Sequence, residues 1–272
     1  MLPLAPHAPY TDGPGDFSIG LAAIEEAAWL EGGEADPAAR KDPLLAAEPD
    51  FVWGEVAGSE AGQAEVLALV RAAGIAAPDD GRPPLLTAAW AVADDLCLME
   101  KRRGEWRLTA ISLSAGSFFT AQDAIGKSIG ELHAPVPRFA ERFQRRVERI
   151  FDGLRPGLIL QRRNWSVLNT DALHTPDPAP YRAHIGEIAP HEAGEKVFVR
   201  MERQTLRRLP DTGGVLFTIR VWRHPLAALD ADPDRRRAFA AAWRGATDDY
   251  RAYKKLHLFD ELVAGFLRAR GE

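Results

Sequence analysis

His133 stands in the stretch GELHAPVP, residues 130–137. Pro135 and Pro137 each lock φ at about −65° and restrict the residue before them. An imidazole on backbone so stiffened is aimed, which suits a metal ligand or a general base; a loop histidine that merely caps or packs is the other reading. A second group of chemical side chains lies in VRMERQTLRRLP (199–210). On a period of two, Arg200, Glu202, Gln204 and Arg208 share one face, and Met201, Arg203, Thr205 and Leu209 the other. Neither face is cleanly apolar, although the neighbouring run VLFTIRV reads as a buried strand. A buried arginine needs a carboxylate, a phosphate or a ligand's carboxylates. QRRNWSV (161–167) has the same character, with Arg162, Arg163 and Asn164 beside Trp165. Two polar, arginine-bearing strands and one stiffened histidine suit a pocket for an aromatic, anionic ligand, of which haem with its two propionates is one; a solvated Arg–Glu network is the alternative.

Other chemistry is thinly supported. The sequence has no G-x-x-x-x-G-K-[ST], no G-x-G-x-x-G after a strand, no G-x-S-x-G and no H-E-x-x-H. Its seven histidines (His7, His133, His174, His184, His191, His224, His257) never form a ligand pair on one helical face. The single cysteine, Cys97, excludes an internal disulfide and an iron–sulfur cluster held by this chain's own thiolates. It sits inside an apolar run, where a thiol is inert packing.

The elements that must position these residues follow from periodicity. The 272 residues, 46% apolar and 27% charged, describe a globular chain with a substantial core. A net charge of −5 gives no reason to expect nucleic acid. No run of 18 apolar residues marks a membrane span, and MLPLAPHAPYTDGPGDF lacks the pattern of a signal peptide, so a cytoplasmic location is expected. Residues 1 to about 20 read as an irregular arm. Short helices are expected over 21–55, including IEEAAWL, and a better one over 62–75 with Val66, Leu69, Val70 and Ala73 on one stripe. LLTAAWAV, DDLCLMEKR and EWRLTAISLS read as antiparallel strands. RFAERFQRRVERIFDGL is an amphipathic helix with Phe139, Phe143, Val147, Ile150 and Leu154 inward and Arg and Glu outward. GLILQRRNWSV is a strand, and KVFVRMERQTLRRLP with GVLFTIRVW makes a hairpin. Helices are expected near 233–245 and 247–269. The division is an N-terminal helical extension (1–80), a sheet-bearing core (81–228) and C-terminal helices packed on the core (229–272), an α+β fold.

In this order and spacing, DDLCLME, IGKSIGELHAPVP, RRNWSV, MERQTLRRLP and FTIRVWRHPL resemble the haem-dependent oxidative N-demethylase alpha-subunit family, over about residues 17–226. The resemblance implies a PAS-like core, an antiparallel sheet with flanking helices. It implies oxidative N-demethylation of a small secondary amine such as dimethylamine, using haem b and O2. Electrons would come from NADPH through a partner reductase carrying FMN and an iron–sulfur centre. His133 would be the iron's axial ligand, its second nitrogen donating to a carbonyl or a carboxylate, for which Glu131 is a nearby candidate. Arg203 and Arg200 are candidates for propionate or distal contacts, and Arg163, Asn164, Trp165, Gln204 and Thr205 complete the expected haem-binding set. Glu202, with Glu148 behind it, is the carboxylate expected to meet a protonated amine. The expected partners are the reductase, the amine and O2, without nucleic acid or membrane; a homo- or hetero-oligomer is open. The chain departs from the family pattern at GSFF (116–119) in place of P-S-x-W, at Ala124 in place of lysine, and at Val221–Trp222 in place of T-Y. These changes leave the substrate unfixed. A haem-binding sensor without turnover and a haem-free scaffold are the other readings. A sensor would be expected to carry an output domain, and none is visible in the sequence.

Overall fold

The computed structural model describes residues 3–272; the first two residues of the expected N-terminal arm lie outside them. Seven strands form one antiparallel sheet: β1 (Ala22–Ile24), β2 (Trp53–Glu55), β3 (Asp95–Arg102), β4 (Glu105–Ser112), β5 (Ile159–Leu168), β6 (Phe198–Arg208) and β7 (Val215–Pro225). Their spatial order is β1-β5-β6-β7-β3-β4-β2. The fold is α+β, consistent with a PAS-like sheet and its helices. Both edge strands come from the first 80 residues, pairing with β5 and β4, so this segment is built into the sheet of the core.

The register across β5, β6 and β7 assigns each side chain to a face, because residues directly opposite share one. Glu202 is opposite Asn164 and Val221, and Gln204 is opposite Arg162 and Ile219. Arg203 is opposite Arg163 and Arg220, and Met201 is opposite Trp165 and Trp222. One face therefore carries Arg162, Asn164, Arg200, Glu202 and Gln204. The other carries Arg163, Trp165, Met201, Arg203 and Thr205.

Apolar packing covers both faces. On the Arg203 face, Trp165, Met201 and Val199 pack beneath the helix Pro233–Arg244 and the segments that follow it. Further along the same face, Leu96, Leu98 and Leu216 meet Val66 and Val70 of the helix Glu60–Ala72. Burying each such aliphatic side chain stabilises the fold by about 1.5–3 kcal/mol. On the Glu202 face, Cys97, Met99, Ile111 and Leu206 pack against Ile129, Phe139, Phe151 and Leu154 of the segment 129–154.

Three local expectations change. Residues 84–90 form a helix, not a strand, starting at Pro84 and ending where Lys41 donates from its buried ammonium to the carbonyls of Ala89, Val92 and Asp94. A short run that is apolar throughout carries no periodicity, so strand and buried helix look alike in it. IEEAAWL splits into the end of β1 and a 3₁₀ turn over Glu26–Ala28, leaving Trp29 fully buried. The C-terminal helix near 247–269 is broken in two by Lys255, held left-handed at φ 56° between Asp248–Lys254 and Asp260–Arg268.

Candidate functional site

His133 is positioned by a chain of local devices. Ser128 and Glu131 form a capping box that starts the short helix Ile129–Leu132, and His133 is its C-terminal cap. There the Nδ1–H donates to the carbonyl of Ile129 at 2.8 Å. Since a carbonyl only accepts, this bond fixes the tautomer and leaves the Nε2 lone pair free. The chain then turns through Pro135, Pro137 and Arg138, which is left-handed at φ 56°, and enters a π-turn over Ala140–Gln144. That path lays the Phe139 ring on the imidazole, centroids 4.3 Å apart and planes 9° from parallel. Burial lowers the imidazole pKa, the Ile129 carbonyl opposes that, and the nearby Arg162 charge adds to it, so the ring is neutral at pH 7. Glu131, expected to orient the second nitrogen, does not: its carboxylate accepts from the Ser128 amide and pairs with Arg107. The backbone carbonyl one turn back does this because a residue at the end of a single helical turn lies directly over it.

Opposite lies the polar face of β5 and β6. The Glu202 carboxylate accepts from Gln204 at 2.9 Å and Asn164 at 3.2 Å, with Arg200 Nε at 3.5 Å. Burial by itself would raise its pKa, but the charges of Lys254 and Arg200 and the Gln204 hydrogen bond outweigh burial and hold the carboxyl below its usual value. Arg200 is fixed beneath two loops, donating to the carbonyls of Leu173 and Ala115. The departing GSFF segment is tied there as well: Phe118 N donates to Thr175 O at 2.7 Å, and Thr175 N to Gly116 O at 3.0 Å. A Cβ on Gly116 would meet the Phe119 carbonyl at 2.9 Å, so the glycine is required by close backbone approach.

Arg162, beside Glu202 on this face, is the unusual group. Its Nε, like those of Arg200 and Arg220, is buried without a hydrogen-bond partner, but those two guanidiniums lie 3.5 Å from the carboxylates of Glu202 and Glu34, whereas among the described residues no carboxylate lies within ion-pair distance of Arg162. Burial works against its charge, while Glu202 supports it. Lys254 and Tyr253 approach from the end of the helix Asp248–Lys254; burial pulls the Lys254 pKa down and Glu202 opposes that, while burial pushes the Tyr253 phenol up. Half-buried apolar side chains (Leu132, Val136, Phe143, Leu160, Phe217, Ile219) pack against the core cluster on this same face.

The structure thus brings together His133, Asn164, Arg200, Glu202 and Gln204 from the expected set. It does not bring Arg203, Arg163, Trp165 or Thr205 to them, because all four alternate onto the opposite face. Arg203 donates to the carbonyls of Ala28 and Trp29 and to Gln161, and pairs with Glu31 at 3.0 Å. Arg163 is exposed and pairs with Asp12 at 3.0 Å. Trp165 is buried against Phe239, Trp243 and Tyr250, and the Thr205 hydroxyl bonds that of Thr218 at 2.7 Å. Glu148 lies on the covering helix, accepting from Gln144 at 2.9 Å. Arg162, Lys254 and Tyr253 were not among the expected residues. Strict alternation along QRRN does pick out Arg162, since it must share a face with Asn164. Nothing in the sequence indicates that a helix ninety residues later ends beside it.

The donor set suits a ligand that brings its own equatorial coordination. Among the described residues no group of three or more His, Cys, Asp or Glu could hold a bare metal ion. An iron already held by a porphyrin needs one axial nitrogen, an apolar wall and a cation for its carboxylates. His133 Nε2, the half-buried apolar lining and the unpaired Arg162 meet those needs. Cys97, buried on the same face, has its thiol pushed up by burial and is no competing ligand. A separate cleft of about 630 Å³ lies at the β6–β7 turn, where Lys101 and Arg102 pair with Asp152 and Glu100 and Arg208 donates to the Phe151 carbonyl. No helix of the described residues is long and apolar enough to cross a membrane. The family model described as "Haem-dependent oxidative N-demethylase, alpha subunit-like" matches residues 58–264, well over half of the chain, spanning β3 to β7 and every residue of this site.

Proposed function

The chain belongs to the haem-dependent oxidative N-demethylase alpha subunit-like family, and we propose that it holds haem b on His133 and oxidatively removes a methyl group from a small secondary amine. Haem, when bound, supplies the oxidising chemistry with O2 and electrons from a partner reductase. The chain supplies the rest. His133 offers a fixed Nε2 lone pair, kept neutral by burial and by Arg162 and kept in orientation by the Ile129 carbonyl and the Phe139 ring. Arg162 gives an otherwise unbalanced positive charge for a propionate or another anionic oxygen. Glu202 stays ionised and presents a carboxylate to a protonated amine, with Asn164, Gln204 and Arg200 preventing its rotation. The apolar lining keeps water away from the reacting carbon.

The observation that carries this reading is the tautomer lock on His133, which leaves the Nε2 lone pair without a partner on the face that also carries Arg162 and Glu202. The test is an absorption spectrum of the protein purified with haem available, beside His133→Ala. A Soret band that shifts on reduction and is lost or strongly altered in the variant supports the assignment. The absence of a Soret band after adding haemin refutes it and leaves a scaffold.

A further inference from the structure

The helix that covers the site has a second surface. Its inner residues Phe139, Phe143, Val147 and Phe151 face the sheet. Its outer residues Arg142, Arg145, Arg146 and Arg149 recur at three- and four-residue steps and form one exposed stripe. Arg142 lies 3.8 Å from Asp249. Among the described residues, Arg145, Arg146 and Arg149 have no carboxylate within ion-pair distance. This is a local reversal of sign on a chain whose formal charge is −5.

Beneath the stripe, aromatic rings run inward. The Arg142 guanidinium sits 4.9 Å from the Phe143 ring centroid, Phe143 is 6.3 Å from Phe139, and Phe139 is 4.3 Å from His133. The surface charge and the imidazole are thus joined by two packed rings.

We propose that the Arg142–Arg149 stripe docks a small electron-donor protein whose redox centre is ringed by acidic residues. The inference rests on the haem reading above and adds where reduction enters. An oxidative reaction of haem with O2 consumes electrons, and a positive stripe over the axial ligand steers a negatively charged donor to the shortest approach. Each encounter passes one electron: the donor is oxidised by one, the haem iron gains it, and no bond forms or breaks.

The test uses the haem-loaded protein and a reduced two-iron ferredoxin with an acidic surface, following haem reduction by stopped flow. The variant is Arg145→Glu with Arg149→Glu, both exposed; Arg268→Glu, exposed on the helix Asp260–Arg268, is the control. The double variant is expected to slow second-order reduction by about 10- to 100-fold at low ionic strength. The deficit should shrink at high salt, where the Soret band and the rate of reduction by dithionite should equal those of the parent. Rates within twofold of the parent, or equal slowing by Arg268→Glu, overturn the docking site while leaving the haem reading intact. Parent protein that binds duplex DNA or anionic vesicles and not the ferredoxin overturns the choice of partner. A protein without a Soret band overturns both readings.

Discussion

Arg203 and Arg162 separate the two faces of the sheet experimentally. Arg203 is the more conspicuous in the sequence, yet it is 1% exposed and its guanidinium is consumed by the N-terminal segment. Arg203→Met keeps the aliphatic stem and removes every polar contact. The carbonyls of Ala28 and Trp29 would lose a charged donor, each such bond being worth about 1.5–3 kcal/mol. Glu31 would lose its partner, but its side chain is 29% exposed and can rehydrate, so it adds less than a fully buried carboxylate would. The sum is a loss of about 3–5 kcal/mol, a large share of the roughly 5–15 kcal/mol by which a domain is stable. At about 2–4 °C per kcal/mol for a chain of this size, Tm should fall by roughly 6–20 °C. Urea unfolding followed by tryptophan fluorescence measures it. Haem titrated into the folded variant at low temperature should give the parent Soret band. Arg162→Gln should do the reverse: stability equal to the parent's or higher by up to about 3 kcal/mol, since an unmet donor is removed and no partner is lost, with weaker haem binding or a displaced spectrum. A normal melt for Arg203→Met combined with lost haem binding would refute the assignment of faces to roles.

Two further outcomes follow from the charges. The folded pKa of Glu202 lies below its ordinary 4.5, so the carboxylate contributes stability above pH 4.5 that is lost as pH falls through the lower folded value. Glu202→Gln should flatten that acid limb of an unfolding-versus-pH curve. On the proposed function it should also weaken binding of a protonated amine at least about tenfold, read by the spectral shift the amine causes. Asp94 has the opposite sign: burial, only partly offset by Arg220, Lys41 and Arg203, pushes its carboxyl up to about 6, and neither oxygen has a hydrogen-bond partner among the described residues. A raised carboxyl binds its proton more tightly when folded, so stability declines as pH rises from 3.8 to about 6 and the full cost is present above that. Asp94→Asn should therefore stabilise by about 3 kcal/mol at pH 8, on the order of two pKa units. The gain should vanish near pH 4; an unchanged melt at pH 8 would show that the carboxylate is solvated.

Much of the architecture was readable because local signals agreed with tertiary packing. The hairpin of β6 and β7, the helix over 140–153 and the division of β6 into two faces all follow from period and turn residues. The site was half readable for the same reason. Alternation places Arg200, Glu202 and Gln204 together, and the same rule applied to QRRN gives Arg162 and Asn164, not Arg163 and Trp165. What alternation cannot give is which face receives the ligand. That depends on where distant segments end: the carbonyls of Ala28 and Trp29, brought back across the sheet by β1, use up Arg203, whereas no carbonyl or carboxylate arrives at Arg162 Nε.

This difference also explains why the chain carries buried arginines on both faces. A buried guanidinium is tolerated only when donors and charge are matched. On one face Arg203 is matched internally, by Gln161, Glu31 and the carbonyls of Ala28 and Trp29, which ties the first thirty residues to the sheet, and Arg220 has Glu34 at 3.5 Å although its Nε has no hydrogen-bond partner. On the other, Arg200 is matched by two carbonyls and Glu202, while Arg162 is left with an unmet donor on the face that carries half-buried apolar side chains and the neutral, fixed imidazole. An unmet buried donor costs about 1–3 kcal/mol. On the proposed function, an anionic, flat, apolar ligand would offset that cost. Binding of such a ligand should then raise the melting temperature of the parent protein more than that of Arg162→Gln. Equal shifts in the two proteins would mean that Arg162 serves the pocket's shape and not its charge.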